Sequence, residues 1–163
     1  VGGGVLDAEH RVWKLPDTEE GEDTIDQKLS RMTTLVVAGL IYQGGRLLVC
    51  QRRSDGSYPL KWEFPGGKVE AGESYFAALQ RELKEELGIE VQSAREVFRH
   101  RHVYPDQTAV ELIFFRVESY LGPVVNHVFE QLLWAQIHEL KGLDFLEGDL
   151  PLIEKLTRGE LAG

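Results

Sequence analysis

The sequence predicts an α/β sandwich built on a mixed sheet, and three observations carry that prediction. β-rich runs fill most of the stretch from Thr33 to Ile137. A strongly periodic helical segment, Ser74 to Leu87, interrupts them, and a shorter helical segment follows them near the C-terminus. Strands interleaved with two helices place the helices against the faces of a sheet.

The 163 residues, 42% of them hydrophobic, suit one domain with a core of ordinary size. No apolar run approaches a membrane span and no signal-peptide pattern opens the chain, so a cytoplasmic protein with no membrane partner is expected. Cys50 is the only cysteine, which rules out an intrachain disulfide, and "RLLVCQRR" reads as a strand on which it packs. A net charge of -9 argues against binding a nucleic acid polymer or anionic lipid nonspecifically. An anionic substrate would need cations.

Residues 1 to 31 open with glycines and contain the acidic stretch "DTEEGEDTIDQK" without periodicity. They are expected to form a flexible arm or an added extension, with residues 32 to 163 as the folded domain. Met32, the only methionine, reads either as a native start or as a chance internal residue. "TTLVVAGLIYQ" and "RLLVCQRR", separated by Gly44 and Gly45, predict a hairpin. The loop "SDGSYPLK" then leads into "WEFPGGK".

Phe76, Leu79, Leu83 and Leu87 recur at helical spacing and Gly88 supplies the stop. "VQSAREVFRHRHVY", "AVELIFFRVESY" and "EQLLWAQI" read as strands, with a turn at "PDQ". "LPLIEKLTR" predicts the last helix, with Asp149 placed to act as its N-cap. His100 and His102 alternate along a strand, which a polar strand face explains.

Residues three and four apart on a helix are neighbours, so Glu82, Glu85 and Glu86 share one face and repel one another. That face reads either as a solvated acidic surface, partly offset by Arg81 and Lys84, or as an oxygen-rich site for a hard cation such as Mg²⁺ or Mn²⁺. Upstream, Gly66 and Gly67 force an irregular turn from which a carbonyl can face such a site.

These residues resemble the Nudix hydrolases, whose pattern is G-x5-E-x7-R-E-U-x-E-E-x-G-U with U a bulky aliphatic. Gly67, Glu73, Arg81, Glu82, Leu83, Glu85, Glu86, Gly88 and Ile89 occupy its fixed positions. "WEFPGGKVEAGES", "YPD" and "FLEGDLPLIEKL" resemble the MutT-type branch, which acts on nucleoside triphosphates. The resemblance covers Met32 to about Arg158 and implies a Nudix-type α/β/α sandwich.

The resemblance also implies roles. Glu82, Glu85 and Glu86, with the Gly66 carbonyl, would hold the metal, and Glu82 is a candidate to orient or deprotonate water. Glu73 and Arg81 would brace the loop against the helix as an ion pair. Lys68 would sit near the phosphates, Arg53 is a candidate triphosphate contact, and Tyr104 in "YPD" is a candidate substrate contact. Phe64 could flank a base, while Trp62 fits that role or the core equally. MutT-type enzymes often carry a further metal-binding glutamate six residues before a late-strand tryptophan; that position here is Val128, and nearby Glu130 could take its place.

The implied activity is hydrolysis of a nucleoside triphosphate to the monophosphate and pyrophosphate, by a monomer or homodimer. Housecleaning of oxidised nucleotides such as 8-oxo-dGTP is the leading expectation, and a pyrophosphohydrolase of CTP or 5-methyl-dCTP is the alternative. Nudix-like domains also serve as noncatalytic binding modules that lose pattern residues; this chain keeps them all. Asp149 occupies a position at which the branch often places a base-reading asparagine. Ionised, it would only accept hydrogen bonds; buried and protonated, it would also donate.

Overall fold

The computed structural model describes residues 5–6, 12–13, 24 and 33–161. Strands β1 (Val5–Leu6) and β2 (Val12–Trp13) pair antiparallel, Val5 opposite Trp13 and Leu6 opposite Val12. The rest of the expected flexible arm, and Met32, lie outside the described residues. Residues 1–32 and 33–163 form separate compact units.

In the second unit, apolar residues occupy both faces of β3 (Thr33–Leu40), where Val37, Ala38 and Leu40 are all buried. A strand apolar on both sides belongs in the middle of a sheet. Accordingly β3 lies between β7 (Gly66–Lys68), antiparallel, and β9 (Ala109–Leu121), parallel, while β8 (Glu90–Val103) pairs antiparallel with the far side of β9. This is the mixed sheet the sequence predicts.

The predicted hairpin is present, with a shorter first arm than the apolar run suggests. The chain leaves the mixed sheet at Ile41, and only β4 (Tyr42–Gln43) folds back, onto the start of β5 (Arg46–Gln51). Gly44 and Gly45 make that turn with φ of 58° and 76°, values that strain other residues. β5 also pairs antiparallel with β6 (Trp62–Glu63) and β10 (Gln131–Ala135), completing a second sheet of four strands.

Strand alternation divides the core into two layers. Val37, Leu48, Cys50 and Ile113 face helix α1 (Tyr75–Leu87) through its Ala78, Leu79, Leu83 and Leu87. Ala38, Leu47, Val49 and Phe114 face the opposite way, toward Leu152, Ile153 and Leu156 of helix α2 (Leu150–Thr157). An α/β/α sandwich results. Among the described residues, no helix is long and apolar enough to cross a membrane.

Helix α1 is bounded as its sequence requires. The Ser74 hydroxyl accepts from the Ala77 amide at 3.0 Å, a cap worth about 1 kcal/mol, and Gly88 ends the helix in the left-handed conformation at φ 70°. Helix α2 departs from expectation. Asp149 stands at its N-cap position with a right-handed helical backbone and makes no side-chain cap. Pro151 at the helix start lacks an amide needing a partner, and the Asp149 side chain is buried elsewhere.

Candidate active site

The turn at Pro65–Gly67 presses against two carboxylates of α1, and side chains there would not fit. A Cβ on Gly66 would stand 1.9 Å from the Val37 carbonyl oxygen, and one on Gly67 would stand 2.5 Å from the Glu82 carboxyl carbon. The Gly66 amide donates to Glu86 Oε1 at 2.8 Å. Sequence spacing alone placed the three glutamates on one face; the turn determines which of them are enclosed.

Arg81 binds several partners. Its Nε and Nη2 donate to Glu73 at 2.8 and 2.9 Å, its Nη1 to Glu82 at 2.7 Å, and Nη2 also reaches the Lys68 carbonyl at 3.0 Å. The predicted Glu73–Arg81 brace is therefore present, tying the loop after β7 to α1. Hydrogen bonds from Arg81 and from the Glu70 amide hold the Glu73 carboxyl down to about 2. Glu82 shifts upward instead, because desolvation outweighs the Arg81 contact.

Glu86 is pushed up to about 9, first by burial and then by the charges of Glu63 and Glu82. Glu85 is exposed and lies 3.7 Å from Arg81. Among the described residues, no group of three or more His, Cys, Asp or Glu side chains forms a preformed metal cage. The donor chemistry still fits a hard divalent cation: Glu86 is a crowded carboxylate that accepts from the Gly66 amide, and cations are what such oxygen clusters bind.

Glu86 helps line a cavity of ≈ 370 Å³, together with Gly66, Gly67, Lys68, Tyr104, Leu146 and Asp149. Phe64 forms part of its wall while its ring packs against Phe114 and Phe145. Trp62 is buried in the core. Asp149 is only 5% exposed, and desolvation, helped by the charge of Glu63, pushes its carboxyl well above the usual range. Tyr104 packs its ring 5.5 Å from that of Tyr58.

A second cleft, ≈ 250 Å³, shares Arg52, Glu63 and Glu86 with the first and adds Arg53 and Val128. Arg53 is exposed and paired with Asp55 at 3.3 Å. Val128 thus stands beside Glu86, whereas Glu130 is exposed and lines neither cleft. Cys50 is buried behind this region, and burial first, with Glu86 and Glu63 second, pushes its thiol up, as suits a packed strand residue.

Sequence reading passed over Arg52 and Glu63. Arg52 Nη1 donates to both Glu63 oxygens at 3.2 and 3.0 Å, while its Nε and Nη2 hold the Ser57 carbonyl and hydroxyl at 2.8 Å. Glu63 lies between the Glu86 and Asp149 carboxyls, raising both. The available signal was Glu63 within "WEFPGGK", a polar residue on a strand of otherwise buried neighbours.

Comparison with known proteins decides the family. The model of the NUDIX domain matches residues 32–156. The chain belongs to the Nudix hydrolase family. This Nudix protein is 35% identical to "CTP pyrophosphohydrolase" of Escherichia coli over 73% of its own length and 87% of that relative's. It is 33% identical to "8-oxo-dGTP diphosphatase" of Haemophilus influenzae, over 74% and 89%. The solution structure of the E. coli ORF135 protein superimposes with a TM-score of 0.70 at 33% identity, covering 80% of this chain and 92% of that one.

Proposed function

We propose that this Nudix hydrolase cleaves nucleoside triphosphates to the monophosphate and pyrophosphate, and that 8-oxo-dGTP is its preferred substrate. The water oxygen bonds to the β-phosphorus, and the oxygen bridging the α- and β-phosphorus leaves with the nucleoside monophosphate. Bound by Glu82, Glu85 and Glu86, a divalent cation would offset phosphate charge and acidify the attacking water. Glu82 is the group to orient or deprotonate the attacking water. Arg81 and Glu73 keep that carboxylate in place against the turn, and Lys68, in the cavity lining, meets the phosphates.

The observation that carries the choice of base is Asp149. Burial raises the proton affinity of its carboxyl, and the neutral form offers one donor and one acceptor side by side. Oxidised guanine presents O6 as an acceptor and N7–H as a donor, which match, whereas ordinary guanine presents two acceptors there. The same carboxyl also matches the ring nitrogen and amino group of cytosine, which supports CTP or 5-methyl-dCTP as the second reading. The names of the two relatives agree with this pair of chemistries.

A panel of 8-oxo-dGTP, dGTP, CTP, 5-methyl-dCTP and dATP, assayed with Mg²⁺ and with Mn²⁺, tests the reading through kcat/KM and product identity. Release of orthophosphate instead of pyrophosphate, or equal turnover of dGTP and 8-oxo-dGTP, would refute it.

A further inference from the structure

One buried polar atom among the described residues has no hydrogen-bond partner, His102 Nε2. It lies 3.5 Å from Glu147 Oε2, beyond a good hydrogen bond but within reach of one. Glu147 opens the short 3-10 turn Glu147–Asp149, the segment that delivers Asp149 to the cavity. The other side of that imidazole meets Tyr104 edge to face, with centroids 4.5 Å apart, and the Tyr104 hydroxyl accepts from the Gly148 amide of the same turn. The turn therefore rests on two residues, His102 near the end of β8 and Tyr104 just past it, and the His102 support is incomplete.

We propose that His102 is a positioning residue for base selection: its Nε2–H closes onto Glu147 and fixes the turn that presents Asp149. The inference rests on the base-reading role of Asp149. An imidazole N–H facing a carboxylate makes a charge-assisted hydrogen bond. Because Glu147 and Asp149 are held on one short turn, a shift of the first moves the second. His102 does not touch the reacting atoms.

The charged and titratable groups around His102 are few. His100 on β8 and Tyr104 just past its end flank it, Glu147 faces it from the turn, and Lys155 of α2 lies over Phe98. Its neighbours across β9, Val110 and Leu112, are apolar. Burial, then the nearness of His102, lowers the proton affinity of His100. Glu147 is the carboxylate within reach of Nε2.

The test is the ratio of kcat/KM for 8-oxo-dGTP over dGTP in wild type, His102→Phe, Glu147→Ala and the double variant. Metal and phosphate contributions cancel in that ratio. The ratio should fall by about threefold or more in each single variant, with no further loss in the double variant. An unchanged ratio in Glu147→Ala, or losses that add in the double variant, overturns the proposal. Glu147 is 62% exposed, so its substitution keeps the test decisive even if His102→Phe fails to fold. Asp149→Leu separates the two readings: if it leaves the ratio unchanged, Asp149 does not read the base, whatever the other variants show.

Discussion

The Gly66 amide and Glu86 Oε1, 2.8 Å apart, link the glycine turn to the most proton-loving carboxyl resolved on α1. In the folded protein Glu86 holds its proton to about pH 9, whereas an unfolded glutamate releases it near 4.5. Its contribution to stability is thus fully present below the lower value and is lost as pH rises toward the upper one.

Metal-free protein should therefore melt progressively lower between about pH 5 and pH 9. Glu86→Gln should flatten that slope and raise the metal-free melting temperature near pH 8 by at least about 3 °C. The same variant should lower kcat by at least about tenfold, a barrier increase of roughly 1.4 kcal/mol. Full turnover in excess EDTA would contradict the metal role, and an unchanged melting slope would contradict the burial of Glu86.

The two glycines should fail differently. Gly66→Ala drives a Cβ into the Val37 backbone, which cannot move without breaking the sheet, so the melting temperature should fall by about 5 °C or more. Gly67→Ala meets only the end of the Glu82 side chain, which can swing aside. Calorimetry should show Gly67→Ala close to wild type in stability, while kinetics show a kcat loss of about tenfold or more. If both variants lose stability equally, the turn is only structural.

Arg81 binds Glu73 through two nitrogens, a geometry that lysine cannot copy. Arg81→Lys should lower kcat about tenfold with little change in KM, because it loosens Glu82 without touching the base. The depressed Glu73 carboxyl contributes stability that is present above its unfolded value and lost as pH falls toward about 2. Acid unfolding of Glu73→Gln should accordingly lack that part of the transition; an acid limb identical to wild type would show that the pair contributes nothing to stability.

The parts of the site built from local sequence were legible without a structure. The helix, its cap and stop, and the shared face of Glu82, Glu85 and Glu86 follow from spacing along one element. What spacing could not show is what a second element does to each residue. Glu85 and Glu86 are adjacent, yet only Glu86 is enclosed, because the turn before α1 and the Glu63 side chain close over it. The apolar run through Ile41 hid a change of sheet for the same reason: burial on both faces looks alike whichever sheet a strand joins. Asp149 read either as the cap of the last helix or as a base contact, and only the fold shows a buried side chain that caps nothing and lines the cavity.

Asp149 gives the sharpest test of substrate choice. Burial pushes its carboxyl well above the usual carboxylate range, and the neutral form carries an O–H donor and a carbonyl acceptor, the same pair that an asparagine amide offers. Asp149→Asn should thus keep kcat/KM for 8-oxo-dGTP within about threefold of wild type at pH 7. At higher pH the aspartate ionises and loses its donor, whereas asparagine does not, so the variant should outperform wild type on the alkaline side. Asp149→Leu removes both hydrogen bonds and should lower kcat/KM for 8-oxo-dGTP by at least about tenfold, with a smaller effect on dGTP. It should also raise the melting temperature, since an apolar side chain replaces a buried carboxyl that must stay protonated. Higher stability together with lost selectivity would identify Asp149 as a residue kept for its substrate. A leucine variant that is less stable and equally selective would instead make it a packing residue, and 8-oxo-dGTP would lose its structural support as the preferred substrate.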